Sequence, residues 1–420
     1  MKKIVTLTFV FMFASMGCSE DTFVGPYKNV TDKDSLPAAG PRWIENQWRM
    51  ILQADGRWGY DQTDDDKDGN NAGAEFPRYS GLYGLYAGGL YIGAIKDGLP
   101  RVSQIEYQSE FTPGGITNTT PAPFSQLTYS SPDSARIYVI DDAQSGVDWR
   151  FWPVEQGALW DSVSDQPLLL GNQDSWSVCH DLRADSIHAD DETGNGFGVE
   201  LHRMTTMIKY GYMADIVFIR YRIINKSNVN YSGAYVSWWL DHNLGSIITN
   251  DVPGTDTLRN MVYTYNLTGE SSSTGQQYAV GHQLLYFTGS GTNTKLCASN
   301  AYSNGTDPRT DNERYNLIRG LTKLNGLQYP DSIVGVTGGT LIYPGDPVAG
   351  TGTLCHQGRN GRLMASVGPF VMQSGGVYDI LFAVIGGEGN DRLDAIVNMR
   401  QKADQLKQVF PMMLPYFQMK

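Results

Sequence analysis

The stretch that most constrains the fold is Ile216 to Asn266. It opens with IVFIRYRIINKS, in which Phe218, Arg220 and Arg222 alternate with Ile219, Tyr221 and Ile223, the two-residue period of a strand. A turn-rich NVNYSG separates this run from a second strand, AYVSWWL. Strand, Asn/Gly turn, strand is the signal of an antiparallel hairpin. The second strand runs into Asp241-His242-Asn243-Leu244-Gly245, followed by Asn250, Asp251, Gly254 and Asp256, and MVYTY closes the unit. A rigid scaffold is thus expected to hand the chain to a loop crowded with side-chain oxygens, the usual place for a site. Asp241, Asn243, Asp251 and Asp256 are its candidate ligands for a cation.

The same grammar recurs along the chain. LYGLYAGGLYIGAIKDGLPRVSQIEY carries a second hairpin signal at Lys96-Asp97-Gly98, and ARIYVI, residues 198–210 and AVGHQLLYF read as strands. Gly88-Gly89 lacks the GK[ST] and helix of a phosphate loop, so close backbone packing inside a sheet is the expected reason for it. RLMASVGPFVM, a Ser374-Gly375-Gly376 turn and VYDILFAVIGG end the β region. Without βαβ spacing, these runs predict a mainly β, antiparallel β-sandwich with large loops.

Two helices are expected to flank it. In 41–54 the residues Trp43, Ile44, Trp48, Ile51 and Leu52 fall on one helical face, with Pro41 early and Gly56 past the end; an aromatic-rich loop is the alternative. From Asp391, Leu393, Ile396, Val397, Arg400, Ala403, Leu406 and Val409 keep helical spacing. The expected organisation is a leader over 1–17, a tether over 18–40, a helix plus acidic loop over 41–78, one large or two closely packed sandwich domains over 79–410, and a tail over 411–420.

Asp61 to Glu75 is the most acidic run. Asp64, Asp66, Asp68, Gly69 and Glu75 match the spacing of an EF-hand calcium loop, but Gly56 and Gly59 interrupt an entering helix and Pro77 an exiting one. A free-standing Ca²⁺ loop at Asp64, Asp66, Asp68 and Glu75 stands against a solvated acidic turn. Trp149, Trp152, Trp160 and Trp176 either form a sugar-stacking surface or fill a large core. Trp238-Trp239, beside Asp241, is a candidate ligand platform in which one ring faces the core and the other solvent.

Lys2 and Lys3 precede the apolar run Ile4 to Ala14, too short to span a bilayer. Ser15-Met16-Gly17-Cys18 resembles a lipobox and Ser19-Glu20-Asp21 an acidic surface-export tag, which makes Cys18 the expected lipid attachment point; an ordinary signal peptide is the alternative. Each buried lipid methylene contributes roughly 0.8 kcal/mol, so two or more chains anchor stably. The expected address is extracytoplasmic, at a bacterial outer membrane or cell surface, with the membrane reached through a lipid anchor. The formal net charge of −12 argues against nucleic acid as a partner, because phosphate binding needs concentrated Lys and Arg. If Cys18 is lipidated, Cys179, Cys297 and Cys355 remain, as a Cys297–Cys355 disulfide with one free thiol or as three buried thiols; no zinc spacing is present.

Seven segments carry a resemblance in consistent order over most of 75–409. They are 86–114, DWRFWPVEQGAL (148–159), LLLGNQDSWSVCHD (168–181), the opening stretch, NGTDPRTDNERYNLIRGL (304–321), YPGDPVAGTGTL (343–354) and 362–393. Together they resemble a family of large secreted bacterial β-rich proteins that usually continue into an immunoglobulin-like module and a C-terminal sorting domain for type IX secretion. The resemblance implies an extracytoplasmic address and no assigned activity. Lys420 is reached without such modules, and export by the lipoprotein route is expected to replace the sorting domain. Asp-Ser/Thr-aliphatic triplets beginning at Asp34, Asp133, Asp161, Asp185, Asp256 and Asp331 resemble a bacterial O-glycosylation acceptor, a pattern that chance also produces in a Ser/Thr-rich chain.

Three functions fit these residues. The preferred one is a structural or adhesion protein whose sandwich is stabilised by calcium, meeting glycans or other surface proteins. A glycan-binding module of a surface complex is the alternative. A glycoside hydrolase using two of Glu200, Asp241 and Asp256 is the third, to be decided by their separation. No GxSxG, HExxH, P-loop or triad pattern is present, so catalysis is the least expected.

Overall fold

In the computed structural model the described residues are 40–132, 135–183, 196–270, 272–289, 291 and 294–418. The leader, Cys18, the tether up to residue 39 and the triplets at Asp34, Asp133 and Asp185 lie outside them. Strands and helices are labelled in chain order. The larger sheet has nine strands, ordered β15 (Asp251–Asp256), β16 (Met261–Asn266), β17 (Gln277–Phe287), β20 (Val377–Gly389), β13 (Ile216–Asn225), β12 (Val199–Met207), β11 (Gln173–His180) and β7 (Thr112–Pro113), with β8 (Tyr138–Asp141) also paired to β11. The second sheet has five, ordered β18 (Ala298–Ser303), β19 (Gly361–Met372), β14 (Tyr231–Asp241), β5 (Ala87–Lys96) and β6 (Leu99–Gln104). Smaller sheets join β1 (Arg42–Glu45), β2 (Arg49–Leu52), β3 (Ala74–Glu75) and β4 (Tyr83–Leu85), and pair β9 (Trp160–Asp161) with β10 (Gln166–Pro167). Helices are α1 (Val147–Arg150), α2 (Asp311–Ile318), α3 (Asp331–Val334) and α4 (Arg392–Phe417).

The expected antiparallel β-sandwich is present. Its core lies between the two large sheets, where Leu201, Ile219, Tyr221, Ile223, Ile380 and Phe382 meet Leu90, Ile92, Val236, Trp238, Leu240 and Val367. α4 covers the outer face of the larger sheet at β17 and β20, burying Ile396, Met399, Ala403 and Leu406 against Phe218, Ala279, Leu381 and Ala383. α2 covers the outer face of the second sheet, with Tyr315, Leu317 and Ile318 packed among Tyr91, Trp239 and Met364. Glycine permits the closest approaches. A Cβ on Gly387 would stand 2.3 Å from the Ala395 carbonyl oxygen of α4, and one on Gly89 would stand 1.9 Å from that of Ile105. The expectation of close packing at Gly88-Gly89 therefore holds.

The C-terminal helix starts where its sequence places it. Asp391 caps it by accepting from the backbone N–H groups of Leu393 and Asp394 at 2.8 and 2.9 Å, as an N-cap aspartate should. It continues through Pro411 and Pro415 to Phe417, so 411–417 is helix rather than a tail. Among the described residues, no helix is long and apolar enough to cross a membrane.

Three expectations are corrected. The 41–54 segment is no helix but the hairpin β1–β2, paired Arg42 to Leu52. Ile44, Trp48, Met50 and Leu52 are buried on one face and Ile51, against Gly73, on the other, so a strand covered on both sides stands where the helical pattern was expected. Asn46 anchors the turn by donating to the Ile216 carbonyl at 2.8 Å. Next, the opening stretch is not a hairpin. β13 pairs with β12 and β20, whereas β14 pairs with β19 and β5 in the other sheet. The turn between them crosses the sandwich, as does the 373–376 turn between β19 and β20. The crossovers brace each other through the Asn225 amide, which donates to the carbonyls of Val229 at 2.8 Å and Gln373 at 3.0 Å. Finally, Cys179, Cys297 and Cys355 are all free thiols, so no Cys297–Cys355 bridge forms.

Candidate functional site

β14 ends at Asp241, where the chain leaves the second sheet. Around this end lies a pocket of about 380 Å³, lined by Tyr60, Tyr86, Tyr107, Asp241, His242, Asn243, Ile248, Asn304, Asn360 and Arg362. Tyr60 opens the acidic loop and Asp241 the second oxygen-rich loop, so the two loops border one site. The tyrosine rings form a half-buried trio, with centroids 5.9 Å (Tyr60–Tyr86), 5.5 Å (Tyr60–Tyr107) and 6.1 Å (Tyr86–Tyr107) apart. Trp239 supports them from below, edge-on to Tyr107 at 5.0 Å.

The polar side of the pocket is built on Arg362 of β19. Its guanidinium donates to Asp241 at 3.4 Å, to Asn360 at 2.9 Å and to Asn304 at 3.1 Å, and it lies 5.3 Å from the Tyr107 ring. The Tyr107 hydroxyl donates to the other Asp241 oxygen. Burial pushes the Asp241 carboxyl up to about 6, against the opposing effects of Arg362 and Tyr107. The buried side-chain oxygen of Asn243 has no hydrogen-bond partner, which leaves an acceptor for a ligand donor. Behind the wall, His242 and His282 meet Nε2 to Nε2 at 2.9 Å. Burial lowers both, His242 to about 3, so both are neutral at pH 7.

The acidic loop departs from its motif. Asp61, Asp64 and Asp66 each bring an oxygen within 4.8 Å of the others; Asp64 and Gly69 have positive φ, 50° and 79°. The Asp61 side chain is buried, one of its oxygens accepts from the Asp65 N–H at 2.8 Å, and the other has no partner. Burial raises the Asp61 carboxyl. Asp68 turns away to accept from Tyr83 and from the Asn70 N–H. Glu75 lies in β3 and accepts from the Gly81 N–H at 2.7 Å. The EF-hand spacing therefore does not describe the cluster, because strand pairing holds its last position and Asp61, before its first, takes part.

The second predicted ligand set is also divided. Asp241 and Asn243 line the pocket. Asp251 is buried and accepts from the Leu244 N–H at 3.1 Å and from Asn266 at 3.2 Å; burial pushes it well above the usual carboxylate range. Asp256 ends the same strand, five residues or roughly 17 Å further along, where Arg259 (2.8 Å) and Arg400 (3.0 Å) pair with it. The four cannot surround one ion. Nor do Glu200, Asp241 and Asp256 form a carboxylate pair: Glu200 lies on the outer face of the larger sheet, and Asp241 is the one carboxylate among the described residues lining this pocket.

Trp238 and Trp239 are both 0% exposed. Trp238 stacks on Phe382 between the sheets at 5.1 Å and 10°; Trp239 donates to the Tyr302 hydroxyl at 2.8 Å under α2. Their rings do point to opposite faces, but both faces are covered, so neither is a ligand platform. Trp152 and Trp176 are likewise core residues, with Trp149 and Trp160 packed against them. The aromatic lining is Tyr60, Tyr86 and Tyr107, three of 24 tyrosines with no shared motif. The chain matches no protein-family model and no curated protein.

Proposed function

We propose that this protein is an extracytoplasmic surface protein, lipid-anchored at Cys18, whose sandwich binds a neutral saccharide in the tyrosine pocket. The carrying observation is the pocket itself, with three half-buried tyrosine rings facing an Asp–Arg–Asn fringe. Aromatic faces match sugar CH groups, and fixed amide and carboxylate groups match vicinal hydroxyls, leaving an unpartnered Asn243 oxygen to accept one. A single lining carboxylate gives no support to paired-carboxylate hydrolysis.

The test is a glycan array followed by titration calorimetry with the best neutral oligosaccharide. Tyr60→Ala and Asn243→Ala should each weaken binding about tenfold or more, with the urea midpoint little changed. Binding indifferent to both substitutions, or no binder among neutral glycans, refutes the reading. A structural or adhesion role stiffened by calcium is the second reading, favoured by the unpartnered, buried Asp61 oxygen beside Asp64 and Asp66. Oxygen-only shells of this kind suit Ca²⁺.

A further inference from the structure

α4 covers only part of the larger sheet. Where β11, β12, β13 and β20 lie side by side, their outer face is roofed by residues 114–117, Ser130, 135–138 and 155–157, leaving a cavity of about 870 Å³. The strand register sets Val178, His202, Arg222 and Asp379 in one row across four strands, and Glu200, Ile224 and Val377 in the next. Directly opposite residues share a face, so these side chains form one floor.

The carboxylates on that floor are already engaged. Asp379 is shared by Arg220 at 2.9 Å and Arg222 at 3.0 Å, one acid for two guanidinium groups. Glu200 accepts from the Ile116 N–H at 2.5 Å and from His202 Nε2 at 2.8 Å, with Lys226 Nζ at 3.7 Å. Burial alone would raise Glu200, but the bond from His202 and the charge of Lys226 outweigh it and hold the carboxyl below its usual value. The roof adds Arg136, which lies 5.7 Å from the Tyr138 ring and whose buried Nη1 has no hydrogen-bond partner. Arg136, Arg222 and Lys226 line the groove with Glu200, Asp379 and the rim residue Glu155, and Arg220, just outside the lining, shares Asp379, so the neighbourhood carries one positive charge more than its carboxylates. In a chain of net charge −12 this is a local positive surplus, which concentrates anions.

We infer that this groove binds an acidic saccharide, with Arg136 and Lys226 taking the carboxylate of one uronic-acid unit and the Tyr138 ring flanking the sugar. The planar guanidinium fork suits a carboxylate, and an aromatic wall beside it suits a pyranose rather than a small free anion. One surplus charge matches an isolated carboxylate, not a polyphosphate, whose binding needs many more cations. The inference does not rest on the tyrosine pocket, with which the groove shares no lining residue.

Short galacturonate and glucuronate oligosaccharides, and their methyl esters with the carboxylate masked, are titrated calorimetrically into the whole protein. At least one acid should bind, its ester about tenfold more weakly or worse, since a hydrogen bond to a charged group is worth that factor or more. Arg136→Gln should weaken the acid about tenfold and abolish the acid–ester difference, whereas Tyr60→Ala should leave the affinity for the acid unchanged. Should Arg136→Gln shift the urea midpoint, Lys226→Gln serves for the same comparison. No binding by any acid, equal binding of acid and ester, or wild-type affinity in a folded groove variant overturns the inference. Loss of acid binding in Tyr60→Ala would also overturn it, by moving the site to the tyrosine pocket.

Discussion

The adjacent tryptophans of β14 allow a test in which chemistry is constant and only the surroundings differ. Trp238→Phe and Trp239→Phe delete the same atoms from residues that are both fully buried. Each should lose about 1–2 kcal/mol for the smaller ring and the space it leaves. Trp239 Nε1 donates to the Tyr302 hydroxyl at 2.8 Å, so its replacement leaves that buried oxygen without its donor, a further cost of about 1–3 kcal/mol. Trp238 Nε1 is buried with no partner, so replacing Trp238 removes an unsatisfied donor and recovers part of its ring loss. Trp239→Phe should therefore be the more destabilising, by about 1–3 kcal/mol. Urea titration followed by far-UV circular dichroism measures this without relying on tryptophan emission. With a slope of about 3 kcal/mol/M, the midpoints should separate by roughly 0.3–1 M. Equal midpoints, or a lower one for Trp238→Phe at unchanged slope, would falsify the argument. Because Trp239 supports Tyr107, its variant should also weaken saccharide binding, while Trp238→Phe should not.

Calcium should raise the melting temperature, by an amount equivalent to about 2.7 kcal/mol at a hundredfold excess over Kd; Asp61→Asn with Asp66→Asn should abolish the rise and Asp68→Ala should leave it, and melting indifferent to calcium and chelator would end the metal reading. His242 and His282 are held below the unfolded value of about 6.5, so the unfolded chain binds more protons and their contribution to stability falls as pH drops from about 6.5 toward 3. Asp241, raised to about 6, acts oppositely, costing stability as pH rises from about 4 through 6. Urea midpoints across pH 3–7 should fall less steeply on acidification in a His242→Asn, His282→Asn variant than in the parent; a parallel pair of curves would contradict the buried neutral pair. Reducing agent should not change the melting temperature, since the described cysteines are unpaired; a drop on reduction would reveal a disulfide. Cys18→Ala should move the protein from the detergent phase to the aqueous phase of a membrane fraction, and a native protein already soluble, with another N-terminus, would exclude the anchor.

Much of the molecule is written locally. The strands of the 216–266 stretch, the Asp391-capped helix and the need for glycine at Gly88-Gly89 were all legible, because periodicity, capping and missing side chains act within a few residues. Partner choice is not local. A two-residue period says that β13 and β14 each have two faces, and a turn of Asn and Gly says that the chain bends. Neither says whether the next strand pairs alongside or crosses to the other sheet. Residues 41–54 carry both a helical and an alternating pattern, and docking against Asp215–Ile216 selected the second. The pocket was least legible of all. Tyr60, Tyr86, Tyr107 and Arg362 come from four separate segments, and it is long-range strand pairing within the second sheet that sets Arg362 opposite Asp241 and Tyr86 beside it. The stacking of the sheets seals Trp238 and the packing of α2 seals Trp239, so a strand covered on both sides has no free face to offer.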